Sequence, residues 1–367
     1  MVLQLAPDYY NSSIYRSLFQ ALDDRGVVNQ VYVADNVNVA ALSENDKNII
    51  VASKAFSPVE RLLFFPKQRF IQRHLEASVP IDKINIIHAH TLFSSGYAAY
   101  QLWKKYNIPY IVAVRNTDVN MFFRYIKHLM PIGWQVLANA SKVIFISHAY
   151  KQTVLNHYVP KKLRKNVEEK SIVIPNGIHP VFLDDALPHA CDQTTIRLIY
   201  VGKLMRLKNI NTIIRVCDNL SSLGHKVRLT LVGKIVEKEY VDIADNRPYI
   251  RYVSPTPPVG VRDIMRQNDI FIMPSYWETF GLVYAEAMSQ GLPVIYTRGQ
   301  GFDGWFAEGE VGYAVSSKNV KEITKRILDI YTDYPAISTR CQQNALLFDW
   351  QKIADTYTDI YKSLEIE

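Results

Sequence analysis

The sequence predicts an α/β protein with two domains, each built on a parallel sheet that is flanked by helices. Three observations predict this fold class. Apolar strand-like runs alternate with helical segments along the whole chain. The chain has 367 residues, more than the roughly 250 at which a single core usually stops growing. A turn-rich segment at 174–180 and a polar stretch at 184–195 separate the strands into two groups.

Twelve apolar runs are predicted as strands because they are short, continuous and bounded by turn residues. Seven lie in the first domain, at 2–6, 31–34, 49–52, 84–90, 110–114, 143–146 and 172–174. Five lie in the second, at 196–201, 227–232, 249–253, 269–273 and 294–296. The tail at 336–367 predicts two helices separated by Phe348, Asp349 and Trp350, with Asp349 as an N-cap. We place the domain boundary after residue 178.

The composition indicates which classes of partner and which cellular compartment the sequence favours. A net charge of +7 and a pI near 9.0 favour nucleotide phosphates, acidic lipid surfaces or nucleic acid, and charge alone does not choose among them. The three cysteines are unclustered, which is typical of a reducing compartment and argues against a disulfide framework or a zinc site. No apolar run reaches the roughly 18 residues of a spanning helix, and no basic leader precedes the first strand. We therefore expect a cytoplasmic protein, soluble or peripheral to a membrane.

The segment 269–298 predicts one βαβ unit with an acidic residue in an unusual place. Glu286 lies within 282–288, a run otherwise suited to burial against a sheet. An unpaired carboxylate there is costly or takes up a proton, so we expect a ligand hydroxyl or a buried donor to meet it. The alternative is a surface residue on the polar side of its helix.

A second acidic residue, Glu278, lies eight residues earlier in the loop between strand and helix. Open α/β sheets bind ligands at this edge. Phe280, Gly281 and Leu282 follow and offer free backbone N–H groups at a helix N-terminus, which favours a phosphate. Two carboxylates repel a phosphate unless each meets an uncharged group, and sugar hydroxyls are the obvious candidates. The alternative for Glu278 is a first-turn acid favoured by the helix dipole.

Two lysines follow the first strand of the second domain, at the sheet edge that also carries Glu278. Lys203 and Lys208 lie in the segment VGKLMRLKN, directly after Gly202. As point charges they are candidates for holding a pyrophosphate and stabilising a departing nucleotide. The alternative is a solvated basic loop.

A glycine-rich loop at 299–304, GQGFDG, has the spacing G-x-G-x-x-G after a strand. A dinucleotide site is not favoured, because the loop lies late in the second domain and no acid-ended strand follows about 20 residues later. We predict instead a flexible loop whose backbone amides, including that of Gly301, approach a ligand closely.

Polar side chains also follow two strands of the first domain. His88 and His90 end one strand, and Arg115 and Asp118 follow the next. Because such strand ends share the ligand side of the sheet, His90, Arg115 and Asp118 are candidates for orienting an acceptor hydroxyl or the transferred sugar. His88 is better explained as a structural histidine. The motifs D-x-D and H-E-x-x-H are absent, so we expect no metal site of those kinds.

The segment from Lys54 to Ser78 combines basic residues with aromatic and aliphatic ones, although Pro66 interrupts it. A helix with these two faces suits an anionic bilayer surface. The alternative is an ordinary helix that packs its apolar face on the sheet.

Taken together, these residues resemble the retaining, nucleotide-sugar-dependent glycosyltransferases of family 4, which have the GT-B fold. Four segments carry the resemblance: PSYWETFGLVYAEAMSQGLPVI with Glu278 and Glu286, VGKLMRLKN, the linker VIPNGIHPVF, and FDWQKIADTYTDIYKSL near the C-terminus. The resemblance implies two Rossmann-like domains, 1–178 on the acceptor side and 179–348 on the nucleotide-sugar side, facing across an interdomain cleft. The helix within 349–367 is then expected to cross back to the first domain.

The resemblance also implies roles for the candidate residues. Glu286 is expected to bind the ribose hydroxyls, and Glu278 with the amides of Phe280, Gly281 and Leu282 to hold sugar and phosphate. Lys203 and Lys208 are expected to neutralise the diphosphate leaving group beside Gly202. His90, Arg115, Asp118 and Gly301 are expected on the acceptor or sugar side.

The activity implied is metal-independent transfer from a UDP- or GDP-linked sugar, with retained anomeric configuration and no other cofactor. The acceptor is expected to be a hydroxyl of a glycan or lipid-linked glycan, in polysaccharide or glycoconjugate synthesis. An anionic inner membrane face is a further candidate partner. No nucleic-acid partner is expected. A GT-B sugar-nucleotide epimerase, a glycoside phosphorylase and a non-catalytic two-domain binding protein are the alternatives.

The chain departs from the family pattern at several places. Lys203 stands where arginine is frequent, and Asn209 where glycine is frequent. After the strand at 110–114, Arg115 and Asp118 replace a frequent histidine, which leaves a catalytic helper from the first domain unassigned.

Overall fold

The computed structural model describes the chain except residues 35–48, 53–62, 185–188, 190, 192–193, 244–246 and 366–367. Two units are formed. The first comprises Met1–Ile146, Tyr150–Asn176 and Trp350–Glu367, and the second comprises Ser147–Ala149 and Gly177–Asp349. The C-terminal segment therefore belongs to the first unit, as the resemblance implied.

The first unit is built on a parallel sheet whose described strands run in the order β3-β2-β1-β4-β5-β6-β7. These strands are β1 Val2–Leu5, β2 Asn29–Val33, β3 Ile49–Val51, β4 Ile86–Ala89, β5 Tyr110–Val114, β6 Lys142–Phe145 and β7 Ser171–Val173. The helices described between them are α1 Ser13–Asp23, α2 Phe64–Ser78, α3 Gly96–Tyr106, α4 Met130–Asn139, α5 His148–Thr153 and α6 Lys161–Glu169. Buried apolar residues cover both faces of this sheet.

The second unit has a parallel sheet whose described strands run in the order β10-β9-β8-β11-β12-β13. These strands are β8 Ile196–Val201, β9 Val227–Val232, β10 Ile250–Val253, β11 Ile270–Met273, β12 Val294–Thr297 and β13 Gly312–Val315. The helices that follow are α7 Ile210–Ser222, α8 Pro258–Met265, α9 Leu282–Ser289, α10 Val320–Thr332, α11 Tyr334–Ala345 and α12 Trp350–Glu365, the last of which packs on the first unit. Among the described helices, none has the length and apolar character needed to cross a bilayer.

The predicted fold class, with two parallel sheets flanked by helices, is confirmed. All twelve predicted strands are present, and their ends differ from the predicted ones by at most two residues. The prediction missed β13, whose four residues GYAV begin with a glycine and form no continuous apolar run. This strand pairs only with β12, at the edge of the sheet.

Both sheets reverse their strand order once. In the first sheet the reversal lies between β1 and β4, with Leu5 opposite Ala89. In the second it lies between β8 and β11, with Leu198 opposite Ile270. At such a point the connections on the two sides run away from each other and leave a crevice outside the carboxyl ends of the strands. The loops after β8 and β11 are therefore the natural ligand-binding loops of the second unit.

The C-terminal helix α12 is joined to the first sheet by buried hydrogen bonds as well as apolar packing. The Gln4 amide donates to Asn29 Oδ1 at 2.8 Å and to the Tyr361 hydroxyl at 3.2 Å. Because the Tyr361 hydroxyl accepts from Gln4, it donates its own proton to His88 Nδ1, which lies 2.7 Å away. Burial, with a smaller effect of the Arg115 charge, lowers the pKa of His88 to about 3, so the ring is neutral.

Replacing Tyr361 with phenylalanine should destabilise the protein. The change leaves the buried His88 Nδ1 and one Gln4 N–H without a partner, which costs about 1–3 kcal/mol of unfolding free energy. Urea denaturation followed by tryptophan fluorescence measures this loss. Tyr357→Phe on the same helix is the control, because its hydroxyl has no hydrogen-bond partner among the described residues. An equal loss in both variants would contradict the assigned bond.

Candidate functional site

The loops after β8 and β9 approach each other closely at the edge of the second sheet. Gly233 has φ +139°, and a Cβ at this position would lie 2.0 Å from the Gly202 carbonyl oxygen. Only glycine permits this approach, because any side chain would collide with the neighbouring backbone. Gly202 N–H donates to the Val232 carbonyl at 2.9 Å, so the predicted donor-binding Gly202 is part of this backbone contact.

The basic segment after β8 is fastened to the loop after β11. Asn209 adopts a left-handed conformation with φ 59°, which asparagine tolerates better than most residues. Its side-chain amide donates to the carbonyl oxygens of Pro274 at 2.8 Å and Ser317 at 2.6 Å. Tyr276 N–H donates to the Leu207 carbonyl at 3.0 Å. Asn209 thus adopts the positive φ that the glycine frequent at this position in the family would adopt, and its side chain adds two hydrogen bonds.

Glu278 has a protein partner, contrary to the expectation that its carboxylate depends on sugar hydroxyls. Lys208 Nζ lies 2.5 Å from Glu278 Oε2, and both side chains are largely buried. Glu278 Oε1 accepts from the Thr279 N–H at 3.1 Å. Lys203, in contrast, is exposed and makes no ion pair with any described residue. The two lysines are therefore not equivalent, because the charge of Lys208 is already compensated.

The 299–304 loop is hydrogen-bonded to the backbone of Glu278. Gln300 Oε1 accepts from the Glu278 N–H at 3.0 Å, and the Gly301 N–H donates to the Glu278 carbonyl at 2.9 Å. A Cβ at Gly301 would lie 1.8 Å from the Thr279 carbonyl oxygen. The close neighbour of Gly301 in this structure is therefore the protein's own backbone, and its approach to a ligand stays a prediction.

Glu286 has no hydrogen-bond donor among the residues that the structure describes. It lies half-buried on α9, and within the described parts of the chain no side chain or N–H group bonds to its carboxylate. Burial raises the pKa of this carboxyl to about 7. The hydrogen bonds that would favour ionisation are therefore left to water or a ligand. Its ligand role stays a prediction.

The start of α9 offers backbone donors next to these carboxylates. Gly281 precedes the helix with φ 79°, a conformation that suits glycine and turns the chain sharply into Leu282. In the described structure, the N–H groups of Phe280, Gly281 and Leu282 have no protein acceptor. Three N–H groups at a helix N-terminus form a seat for an anion.

An aromatic cluster supports this turn, and the sequence reasoning did not use it. Phe280 is buried and contacts the rings of Phe302, Trp305 and Phe348 at centroid distances of 6.2, 5.7 and 5.5 Å. Gln300 was missed in the same way. Two sequence features could have indicated these residues: the aromatic residues that follow GQGFDG, and the glutamine between its first two glycines.

Two of the candidate residues of the first unit are structural. Asp118 is 1% exposed and accepts from the N–H groups of Leu92, Phe93 and Arg115 at 2.9, 3.1 and 2.9 Å. Burial, opposed by these bonds, raises its pKa to about 6. His90 is fully buried, and its Nε2 lies 2.8 Å from Gln4 Oε1. Both side chains are buried in this structure, and their proposed contact with an acceptor stays a prediction.

Arg115 remains a candidate on the acceptor side. It is half-buried, and its Nη1 donates to Asn176 Oδ1 at 2.8 Å.

The predicted membrane segment lies partly outside the described residues, including Lys54 and Arg61. Its described part, α2, buries Ile71 and Leu75 in the core. Pro66 does not interrupt α2, because it lies in the first turn, where its missing N–H has no helical acceptor.

Comparison with known proteins assigns both halves of the chain. Residues 14–182 match the family model described as Glycosyltransferase Family 4, and residues 188–347 match the one described as Glycosyl transferases group 1. An uncharacterized glycosyltransferase of Methanocaldococcus jannaschii is 24% identical over 77% of this chain and 76% of its own length. The alpha-monoglucosyldiacylglycerol synthase of Acholeplasma laidlawii is 23% identical over 86% of this chain and 83% of its own.

A solved structure shares the fold of the whole chain. HepE of Anabaena, crystallised in complex with UDP, superposes with a TM-score of 0.72 and 16% identity, covering 99% of both chains. At this identity the likeness concerns the fold alone.

The Glu286→Gln variant should be more stable than the wild type at high pH only. The folded state raises the pKa of Glu286, so it holds the proton more tightly than the unfolded state. Stability is therefore unaffected below about pH 4.5 and falls as pH rises towards about 7. Glutamine removes this loss, a gain of about 2–3 kcal/mol at pH 8 and none at pH 4.

Chemical denaturation at pH 4, 6 and 8 measures this difference. Glu168→Gln, at an exposed position on α6, is the control and should change stability little at any pH. A pH-independent difference for Glu286→Gln would show that the carboxyl is not desolvated.

Proposed function

Because the chain belongs to the family 4 glycosyltransferases, which have the GT-B fold, we propose that it transfers a sugar from a nucleoside diphosphate to a hydroxyl of a glycan or lipid-linked glycan. The observation that carries this proposal is the carboxylate of Glu286, which is half-buried and lies close to a helix N-terminus. Among the described residues, neither this carboxylate nor the N–H groups of that terminus has a protein partner. A polyol joined to a diphosphate is complementary to both groups. A nucleoside diphosphate has this composition.

In the proposed complex the ribose hydroxyls donate to Glu286. These hydrogen bonds favour the ionised carboxylate, so donor binding should lower its pKa from about 7. The N–H groups of Phe280, Gly281 and Leu282 receive a phosphate, and Lys203 adds a cation that is not compensated by the protein. Gly202 contributes through its backbone, because a Cβ at this position would lie 2.7 Å from the Tyr200 hydroxyl oxygen.

Lys208 and Glu278 have linked roles in the proposal. Their ion pair at 2.5 Å keeps both charges compensated before the donor arrives. A diphosphate competes with Glu278 for the ammonium group of Lys208, and Glu278 then accepts a hydroxyl of the sugar. When the bond between the anomeric carbon and the phosphate oxygen breaks, Lys203 and Lys208 stabilise the charge that develops on the diphosphate.

We propose the finer features of the reaction on the same residues and the family resemblance. The sugar leaves a UDP- or GDP-linked donor with retained anomeric configuration, and the lysines and the helix N-terminus do the work that a metal ion does elsewhere. No further cofactor is used. HepE was crystallised with UDP, which supports a uridine donor as the first to test. A glycan or a lipid-linked acceptor fits a role in cell-surface polysaccharide or glycoconjugate synthesis.

We also propose that the enzyme acts in the cytoplasm, at an anionic inner membrane surface. In the described chain none of the three cysteines forms a disulfide, as is usual in a reducing compartment. Arg69 and Arg73 on α2 are exposed, which suits an anionic headgroup region. The epimerase and phosphorylase alternatives are not favoured, because both matched family models describe glycosyltransferases.

UDP or GDP should raise the melting temperature of the protein, because a ligand that binds only the native state stabilises it. The shift corresponds to about 2.7 kcal/mol at a hundredfold excess over Kd.

Glu286→Ala should weaken binding about 10- to 100-fold, because hydrogen bonds to a charged acceptor are worth about 1.5–3 kcal/mol. Glu168→Ala is the control. An unchanged Kd in Glu286→Ala would contradict the proposal, and nucleotide release without a second sugar or lipid would indicate another reaction class.

Gln300→Leu should lower kcat roughly tenfold while leaving the Kd for UDP unchanged, because the glutamine orients Glu278, which meets the sugar and not the nucleotide. Gln300→Glu keeps an acceptor oxygen for the Glu278 N–H and should retain most of the activity. Turnover and nucleotide titration on the three proteins separate the two effects. Equal losses of kcat and nucleotide affinity would indicate a general disturbance of the loop.

A further inference from the structure

A second lysine stands beside Lys203 at the carboxyl edge of the second sheet. A parallel bridge joins Leu204 to Ile235 just beyond the paired strands β8 and β9, and it continues their register. Counting back one residue along both strands places Lys203 opposite Lys234. Opposite residues of paired strands carry their side chains on the same face, and the strands run about 4.8 Å apart. The two lysines are therefore close neighbours.

Hydrogen bonds fix the backbone at both lysines. The Tyr200 hydroxyl donates to the Lys203 carbonyl at 2.8 Å, and the Tyr252 hydroxyl donates at 3.0 Å to the carbonyl of the peptide that precedes Lys234. The Leu204 N–H donates to the Lys234 carbonyl at 2.9 Å. Because the main chain is held in this way, the two ammonium groups can separate only by rotation of their side chains.

No acid of the two loops compensates these lysines. Both are exposed, and neither forms an ion pair with a residue that the structure describes. The loops 202–209 and 233–240 contain two acids, and Arg206 engages both: its Nη2 lies 2.9 Å from Glu239 Oε2, and its N–H donates to Glu237 Oε2 at 3.1 Å. Like charges on opposite residues lower stability. An anion that contacts both ammonium groups would remove this repulsion.

The diphosphate of the proposed donor is the anion that suits this pair. Lys203 already belongs to the proposed diphosphate seat, together with the N–H groups at the start of α9. The hydroxyls of the ribose and of the sugar are uncharged, so the phosphates are the groups that attract lysines. Each phosphate of a sugar-linked diphosphate carries a negative charge, which matches two lysines without a protein counter-ion.

We propose that Lys234 is a further diphosphate-binding residue, which acts with Lys203 as a two-lysine clamp. This inference rests on the proposed function and adds a ligand-contacting residue to its site. The clamp differs from Lys208, whose ammonium group pairs with Glu278. Lys203 and Lys234 are available when the donor arrives, whereas Lys208 becomes available only when Glu278 accepts a sugar hydroxyl.

Lys234→Gln should have opposite effects on the protein alone and on its complex. The melting temperature without nucleotide should rise by about 1–2 °C, because the repulsion of Lys203 is removed. The Kd for UDP should increase about tenfold at low ionic strength, because a charged contact to phosphate is lost. Thermal unfolding and calorimetric titration of the full-length protein measure the two effects. An unchanged Kd for both UDP and GDP would overturn the proposal.

Lys226→Gln is the matched control. Lys226 is exposed and directly precedes β9, so it lies at the opposite edge of the same sheet. Its replacement removes the same charge and should leave the Kd for UDP nearly unchanged. The effect of Lys234→Gln should shrink when salt is raised from about 20 to about 300 mM, because exposed charges are screened. A tenfold loss in Lys226→Gln as well would show that net charge attracts the nucleotide, and it would overturn the clamp.

Uridine, UMP and UDP locate the contact along the ligand. The ratio of the Kd values of Lys234→Gln and the wild type should be near one for uridine and largest for UDP, because only the phosphates meet the lysine. An equal ratio for all three ligands would indicate a disturbed base or ribose site and would overturn the proposal.

A double variant tests whether the two lysines act on each other. Lys203→Gln and Lys234→Gln each remove the same repulsion, so their gains in melting temperature should not add in the double variant. Fully additive gains would show that the two charges do not interact, and they would overturn the clamp.

Nucleotide binding by the wild type separates this inference from the proposed function. If UDP or GDP binds the wild type, Glu286→Ala weakens this binding and Lys234→Gln does not, the clamp alone is overturned. If neither nucleotide raises the melting temperature of the wild type, the nucleotide donor and the clamp are both overturned.

Discussion

The desolvated carboxylate of Glu286 is the constraint around which the edge of the second sheet is arranged. Its helix cannot turn away from the sheet, because the Tyr284 hydroxyl donates to the Met273 carbonyl at 2.6 Å from within the core. Burial raises the pKa of Glu286 to about 7, and the described protein offers it no donor. The burial of this carboxylate therefore lowers stability at the position where we propose that a hydroxylated ligand binds, a compromise that is common at binding sites.

The charge of the second carboxylate of the site, that of Glu278, is compensated by the protein itself. Glu278 is compensated by Lys208 and by the Thr279 N–H, and its backbone is held by Gln300 and Gly301. In the proposed complex Glu286 receives its donors from the ligand, and Glu278 exchanges its bond to Lys208 for a sugar hydroxyl. This difference lets two acids lie near an anion seat without leaving two uncompensated negative charges there.

The sequence was sufficient for the fold because strand periodicity and turn residues are local signals. It also located Glu278, Glu286 and the helix N-terminus, since all three lie within one βαβ unit. It failed where the deciding contact is distant in the chain. The engagement of Glu278 by Lys208, 70 residues away, and of Asp118 by the loop after β4 depends on tertiary neighbours. The burial of His90 against Tyr15 and Phe19 of α1 likewise cannot be predicted from the local sequence pattern.

The position of α12 has a consequence for biosynthesis. The core of the first unit includes Trp350, Tyr357 and Tyr361, which leave the ribosome after the whole second unit. While residues 177–349 are being made, α1 covers this face of the first sheet only in part, and Gln4 and His88 lack the hydroxyl that later bonds to them. We therefore expect the core of the first unit to be completed only after the second unit has been synthesised.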